Sequence, residues 1–189
     1  MIFLEYVPYI IALSIAVAIP GPGIAASVAK ALGSGFRPAF YFVCGIVLGD
    51  LTYLTLVVLG LAAIASVFSG VFLLVKWAGA AYLVWLAWNF WRAGIDPAKM
   101  KTEQGTGFWS CLLSGYSVTL GNPKTIIFFV ALLPTVVNLH TITLERYIVL
   151  ALLSVTVLLG VVVPYIALAS HARAFLRNPR ALKLLNRSA

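Results

Sequence analysis

The sequence predicts an all-α, polytopic membrane protein with about five transmembrane helices, of which the first and the fourth are broken. The chain of 189 residues is 62% hydrophobic and 10% charged, with a mean hydropathy of +1.05. A soluble domain is about 45–50% apolar and about 25% charged. The apolar residues form runs close to or above the roughly 20 residues that cross a bilayer, and proline and glycine interrupt two of these runs. The length indicates one integral membrane domain over residues 1–189.

The first break ends the apolar run 2–19, whose one charged residue is Glu5. Prolines in the break lack backbone donors, and its glycines disfavour a continuous helix. The start of the chain lacks the basic segment of a signal peptide, so we expect this run to be retained as a span. A shorter helical piece, 24–32, follows the break. The break consists of Pro20, Gly21, Pro22 and Gly23.

The second break lies inside the run Phe108–Val137, which at about 30 residues is too long for one untilted span. It comprises Gly121, Asn122, Pro123 and Lys124. Either two half-helices meet here or one helix kinks. Interrupted hydrophobic segments in both halves of a chain are typical of transporters built from inverted repeats, and they mark the binding site. The sequence therefore predicts an inverted-repeat, transporter-like fold.

The remaining segments define two halves and a topology. The predicted spans are 39–67, 71–91 and 147–169, with a kink at Pro164; the first half is 1–93, the polar linker 94–106, the second half 107–172 and the basic tail 173–189. Basic residues concentrate on one side of the membrane, in the first inter-span loop (Lys30 and Arg37), the linker and the tail. The positive-inside rule then predicts an outside N-terminus and a cytoplasmic tail.

Several other functions are disfavoured. We attribute the net charge of +8 to membrane topology and expect no nucleic-acid partner. Cys44 and Cys111 lie in apolar runs, and we expect neither a disulfide nor a metal or other cofactor. The sequence lacks a Ser-His-Asp set, a Cys-His set and a phosphate-binding loop, so we predict that the protein is not an enzyme.

Asp50 and Lys124 are the charged residues with the strongest functional signal, because ionisable groups inside a bilayer are costly. Asp50 follows a Gly45-x-x-x-Gly49 pattern that predicts close helix packing. Its carboxylate could bind a substrate ammonium group or carry an exchanged proton; alternatively, it caps a helix break. Lys124 could bind a substrate carboxylate beside exposed helix N–H groups. Alternatively, it forms a structural ion pair with Asp50. For Asn122 we favour helix capping over substrate contact.

These residues resemble the LysE/RhtB superfamily of amino-acid exporters over roughly residues 11–173. The resemblance implies export of an amino acid or derivative across the bacterial inner membrane, in exchange for protons. The family has six spans, and the chain ends at Ala189 about where the sixth would begin, so we expect that span to be missing. The matching motifs are Pro20-Gly21-Pro22-Gly23, Ala31-Leu32-Gly33, Gly35, Gly45, Gly49-Asp50, Lys76-Trp77-Ala78-Gly79-Ala80-Ala81-Tyr82-Leu83, Asn122-Pro123-Lys124, Phe128-Phe129 and Pro134.

The resulting hypothesis is a secondary transporter whose partners are a small amino-acid substrate, protons and the lipid bilayer. The sequence does not decide whether the protein forms a homo-oligomer, because a second copy could cover the face that a sixth span would fill. The alternative is a non-transporting membrane scaffold or assembly subunit. Asp50 is the candidate for proton coupling. The candidate substrate-binding residues are Pro20, Gly21, Pro22, Gly23, Asp50, Asn122, Pro123 and Lys124.

Overall fold

The computed structural model describes residues 5–64, 106–138 and 142–176, and these residues confirm the all-α prediction. The predicted third span, the polar linker up to residue 105 and the tail beyond residue 176 lie outside the described residues. The elements are α1 (Val7–Ala18), α2 (Pro22–Ser34), α3 (Phe36–Ile64), α4 (Phe108–Leu120), α5 (Pro123–Ile127), a π-helical turn (Phe128–Leu132), α6 (Leu133–Val136) and α7 (Leu144–Leu176).

Among the described residues, two helices are long and apolar enough to cross a membrane by themselves. They are α3, over Phe36–Gly60, and α7, over Leu144–Arg173. Two further pairs qualify as broken spans: α1 and α2 meet at 55°, and α4 meets the helical segment Pro123–Val136 at 58°. The predicted breaks in the first and fourth spans are therefore confirmed, and the second break separates two half-helices.

Local chemistry explains both bends. At the first break, Ile19 and Gly21 have extended backbones, and Pro22 is the first residue of α2. At the second break, Asn122 is extended and Pro123 is the first residue of α5. Proline suits the first helical position because its missing N–H would have no helical partner there. Each proline thus starts a new helix instead of distorting an existing one.

Two placements differ from the sequence-based expectation. Lys30, which we counted with the basic residues of the first inter-span loop although it falls in the predicted helical piece 24–32, lies within α2 and is only 4% exposed. Only Arg37 of that pair is exposed. Helix α7 begins at Leu144, inside the predicted polar loop, and it continues through Pro164.

Glycines bring α3 and α4 into close contact. A Cβ atom at Gly45 would collide with the carbonyl oxygen of Leu112, and one at Gly115 would collide with the carbonyl oxygen of Phe42. A Cβ atom at Gly49 would lie 2.6 Å from that of Thr119. The Gly-x-x-x-Gly pattern therefore serves helix packing, as predicted.

The two ends of the helix bundle differ in charge. At one end, the Glu5 end, Arg146 at the start of α7 lies 3.5 Å from the Glu5 carboxylate. At the other, the Gly35 end, the Arg173 side chain lies against Gly35, whose φ of 93° favours glycine. Arg37, in the first turn of α3, also lies at the Gly35 end. The orientation that we predicted from the basic residues stays a prediction.

Candidate functional site

The two helix breaks face each other, and Gly21 and Asn122 are buried where they meet. A Cβ atom at Gly21 would lie 3.2 Å from Cδ of Lys124, and one at Gly23 would lie 3.9 Å from Nδ2 of Asn122. The Lys124 ammonium donates a hydrogen bond to the carbonyl oxygen of Ile19, across the gap between the two halves. Residues about 100 positions apart in sequence thus form one site.

Side chains from the long helices bond the carbonyl groups that the breaks release. Tyr53 of α3 donates a 2.6 Å hydrogen bond to the carbonyl of Leu120, the last residue of α4. Tyr165 of α7 donates, at 3.4 Å, to the carbonyl of Ala18, the last residue of α1. Helix ends leave such acceptors unpaired, which is costly at membrane depth. Each half of the chain therefore stabilises the break in the other half.

Asn122 caps α5, as predicted. Its side-chain Oδ1 accepts a 3.1 Å hydrogen bond from the backbone N–H of Lys124. The Asn122 carbonyl oxygen also accepts a bond from the N–H of Ile126. The cap occupies one of the N–H groups that we expected to be available to a substrate carboxylate.

A cavity of about 60 Å³, here called the central cavity, lies between the breaks. Five of the eight predicted substrate-binding residues line it, whereas Pro20, Pro22 and Pro123 do not. The five are Gly21, Gly23, Asp50, Asn122 and Lys124. The remaining lining residues are Leu13, Ala16, Val17, Ile24, Ile46, Thr125, Phe128, Phe129, Leu158 and Val162. The cavity thus combines one acid, one base and one amide with mainly apolar walls.

Asp50 is a buried acidic residue whose hydrogen bonding is incomplete among the described residues. It is 7% exposed, and its Oδ1 atom is buried without a hydrogen-bond partner among the described residues. Buried acceptors are nearly always bonded, because an unpaired one costs about 1–3 kcal/mol. Oδ1 therefore does not cap a helix in this conformation. Asp50 and Lys124 also form no ion pair in the described structure; the Lys124 ammonium bonds Ile19 instead.

Sequence reasoning missed the aromatic wall of the cavity. Phe128 and Phe129 begin the π-helical turn, and both are buried with their rings 5.2 Å apart. The turn forms because the N–H of Leu133 bonds the carbonyl five residues earlier, at Phe128, while Pro134 has no N–H to donate. A proline inside a helical run was the available signal, and π-turns are frequent at functional sites.

The donor set does not suit a metal ion. Within residues 5–64, 106–138 and 142–176, no group of three or more His, Cys, Asp or Glu side chains is arranged to bind one. A carboxylate, an ammonium and an amide instead complement an organic ligand that carries both charges.

The chain is similar to known efflux proteins. A sequence model of the family described as LysE type translocator matches residues 14–189. A homoserine/homoserine lactone efflux protein of Salmonella typhimurium is 32% identical over 171 residues, which cover 89% of this chain and 82% of that protein. A membrane protein of Vibrio cholerae is 30% identical, with the same coverage of both chains. A leucine efflux protein of Salmonella choleraesuis is 26% identical over 68% of this chain and 61% of that protein. No solved structure matches the chain.

Proposed function

Because the chain belongs to the LysE type translocator family, we propose that it exports a small amino acid or amino-acid derivative in exchange for protons. Relatives named for the efflux of homoserine, homoserine lactone and leucine support this substrate class. The transported molecule binds in the central cavity, and the protein resides in the bacterial inner membrane as one multi-pass domain.

One observation carries the proposal: Asp50 lines the central cavity, and its buried Oδ1 atom has no hydrogen-bond partner among the described residues. An ammonium group bound there would supply the missing hydrogen bond and compensate the buried charge. Lys124, which lines the same cavity, would bind the substrate carboxylate. A membrane scaffold, the alternative function, has no need for such a carboxylate, since a buried unpaired acceptor lowers stability.

Proton exchange follows from competition for Asp50. When the cavity opens to the outside, a proton binds the carboxylate and displaces the substrate ammonium. When it opens to the cytoplasm, a new substrate displaces the proton. The two half-helix breaks are the flexible points at which one half of the chain rocks against the other.

Asp50→Asn tests this function in proteoliposomes. The amide has nearly the same shape, but it neither takes up a proton near neutral pH nor neutralises an ammonium group. We therefore expect pH-driven amino-acid flux to fall about 10- to 150-fold, which corresponds to the loss of a hydrogen bond to a charged group. The flux is measured with a panel of labelled amino acids that includes homoserine and leucine.

The matched control is Glu145→Gln, which removes a carboxylate at the exposed first turn of α7. It should retain the flux of the unmodified protein. Undiminished pH-driven flux in a folded Asp50→Asn variant would rule out the proposed coupling. A protein that no amino acid in the panel stabilises against heat, and that transports none, would favour the scaffold.

A further inference from the structure

A second cavity, of about 400 Å³, lies at the Glu5 end of the bundle. We call it the Glu5 cavity. It combines an acidic, a basic and an amide side chain with apolar residues, and its charged pair is partly exposed. Its lining residues are Glu5, Tyr6, Val136, Val137, Asn138, Ile142, Arg146 and Leu150.

Residues of α7, and residues in or directly before α1, line both cavities at different depths along each helix. Along α7, Arg146 and Leu150 line the Glu5 cavity, and Leu158 and Val162 line the central cavity. These positions recur every four residues, so each is a neighbour of the next on the helix surface. The position in register between them, Ser154, lines neither cavity.

Helix α1 shows the same order. Tyr6 lines the Glu5 cavity, Leu13 lines the central cavity, and Tyr9 lies between them without lining either. Spacings of three and four residues place these side chains on one face. A single layer of side chains therefore separates the two cavities, and Tyr9 and Ser154 both belong to it.

A buried hydrogen bond of 2.6 Å joins Tyr9 to Ser154 within this layer. Tyr9 is 0% exposed and Ser154 is 3% exposed. The single hydroxyl hydrogen of Ser154 is donated to the carbonyl of Leu150 at 2.7 Å. Tyr9 is consequently the donor and Ser154 the acceptor of the bond between α1 and α7.

The rest of the layer is apolar. Leu133 of α6 and Leu54 of α3 are both fully buried and belong with Tyr9 to one core cluster, which reaches Tyr6 on one side and Phe128 on the other. Tyr9 also contacts the aromatic wall, with its ring centroid 6.3 Å from that of Phe128. Among the described residues, the Tyr9–Ser154 bond is therefore a polar contact surrounded by a hydrophobic core cluster.

We propose that Tyr9 and Ser154 form a gate between the central cavity and the Glu5 cavity, and that the exported amino acid leaves through the Glu5 cavity. This inference rests on the proposed function. One neutral hydrogen bond contributes little net free energy, so the bond can break and reform as α1 and α7 separate. Glu5 and Arg146 then present opposite charges to a zwitterion that has passed the gate.

Accessibility of a cysteine in the central cavity tests the gate. In a background with Cys44→Ser and Cys111→Ala, a Leu158→Cys side chain is labelled by a membrane-impermeant thiol reagent applied from the side to which the Glu5 cavity opens. A second cysteine variant, Val137→Cys in the Glu5 cavity, identifies that side. Removing the hydrogen bond by Tyr9→Phe or Ser154→Ala should raise the Leu158→Cys labelling rate about two- to tenfold, because the closed state loses one hydrogen bond.

Tyr147→Phe is the matched control. It removes the same hydroxyl group from a comparable interhelical bond, Tyr147 to Thr55 at 2.7 Å, and Tyr147 lines neither cavity. Its labelling rate should equal that of the parent. An unchanged rate in both gate variants, or an equal rise in the control, overturns the gate. Loss of folded protein in both gate variants but not in the control would assign the bond to stability and overturn it as well.

The labelling measurement does not depend on transport. If the proposed function is wrong and the gate is right, the gate variants still label faster although no amino acid is moved. If the gate alone is wrong, Asp50→Asn still abolishes pH-driven flux while the labelling rates stay equal.

Discussion

Asp50 and Lys124 reach the central cavity from different helices, and their bonding differs. Oδ1 of Asp50 has no hydrogen-bond partner in the described structure, whereas the Lys124 ammonium bonds the carbonyl of Ile19. An ammonium group has three N–H donors, so Lys124 can bond the Ile19 carbonyl and a substrate carboxylate at the same time. The lysine therefore combines a structural task with a proposed binding task, and substitution can separate them.

Lys124→Gln should weaken substrate binding without unfolding the protein. The amide can still donate to the Ile19 carbonyl, but it lacks the positive charge that would pair with a carboxylate. We expect the KM for export to rise about tenfold or more, since hydrogen bonds to charged groups are worth about 1.5–3 kcal/mol. The measurement is the substrate dependence of flux in proteoliposomes.

Lys124→Met is the companion variant, because it removes both the charge and the donor. It should also lower the melting temperature, since the Ile19 carbonyl loses its partner. If Lys124→Gln keeps the parent KM and only Lys124→Met is impaired, the lysine serves the helix break and not the substrate.

At the scale of elements, the breaks depend on support from neighbouring helices. Tyr53 and Tyr165 bond the last carbonyls of α4 and α1, and each tyrosine belongs to the other half of the chain. The support requires α3 to lie close to α4, which the glycines at their contact permit. Packing between these two helices therefore positions Asp50 and the second break together.

Gly115→Ala should destabilise the protein. The added methyl group would collide with the carbonyl oxygen of Phe42, and backbone atoms cannot move aside without separating α3 from α4. Overpacking of this kind costs about 1–3 kcal/mol, so we expect a lower melting temperature in detergent.

Gly160→Ala is the control for helix propensity. Gly160 lies within α7, and no described atom lies within 4 Å of the position that its Cβ would take. The substitution should be neutral or stabilising by up to about 1 kcal/mol. Equal melting temperatures for the two alanine variants would contradict the close contact between α3 and α4.

At the scale of the whole molecule, the charges at the two ends of the bundle predict its orientation in the membrane. Arg37 and Arg173 lie at the Gly35 end, and Glu5 and Arg146 pair at the other end. The positive-inside rule predicts that the Gly35 end faces the cytoplasm, and the Glu5 cavity would then face the outside. Export through this cavity requires that orientation.

Cysteine labelling in intact cells tests the orientation. In the cysteine-free background, Asn138→Cys at the Glu5 end should react with an impermeant thiol reagent, because we place it outside. Ser34→Cys at the Gly35 end should react only after the membrane is permeabilised. The reverse pattern would place the N-terminus in the cytoplasm and make the Glu5 cavity an entrance.

Local chemistry was sufficient to predict the two breaks. Proline and glycine act through their own backbones, so Pro22, Pro123 and the adjacent glycines indicated both bends without knowledge of the fold. The same holds for the Asn122 cap and for the glycine packing surface of α3. Asp50 was identifiable because a lone carboxylate in an apolar run needs an explanation.

Contacts between distant segments were decided only by the tertiary structure. Nothing near Lys30 in the sequence indicated its burial, and no local pattern pairs Tyr9 with Ser154, which are 145 residues apart. Which helix faces meet decides three features of the described structure: the facing breaks, the Asp50 oxygen without a hydrogen-bond partner, and the layer between the two cavities. A membrane helix is hydrophobic on all of its faces. The pattern of apolar residues therefore does not indicate which face contacts another helix.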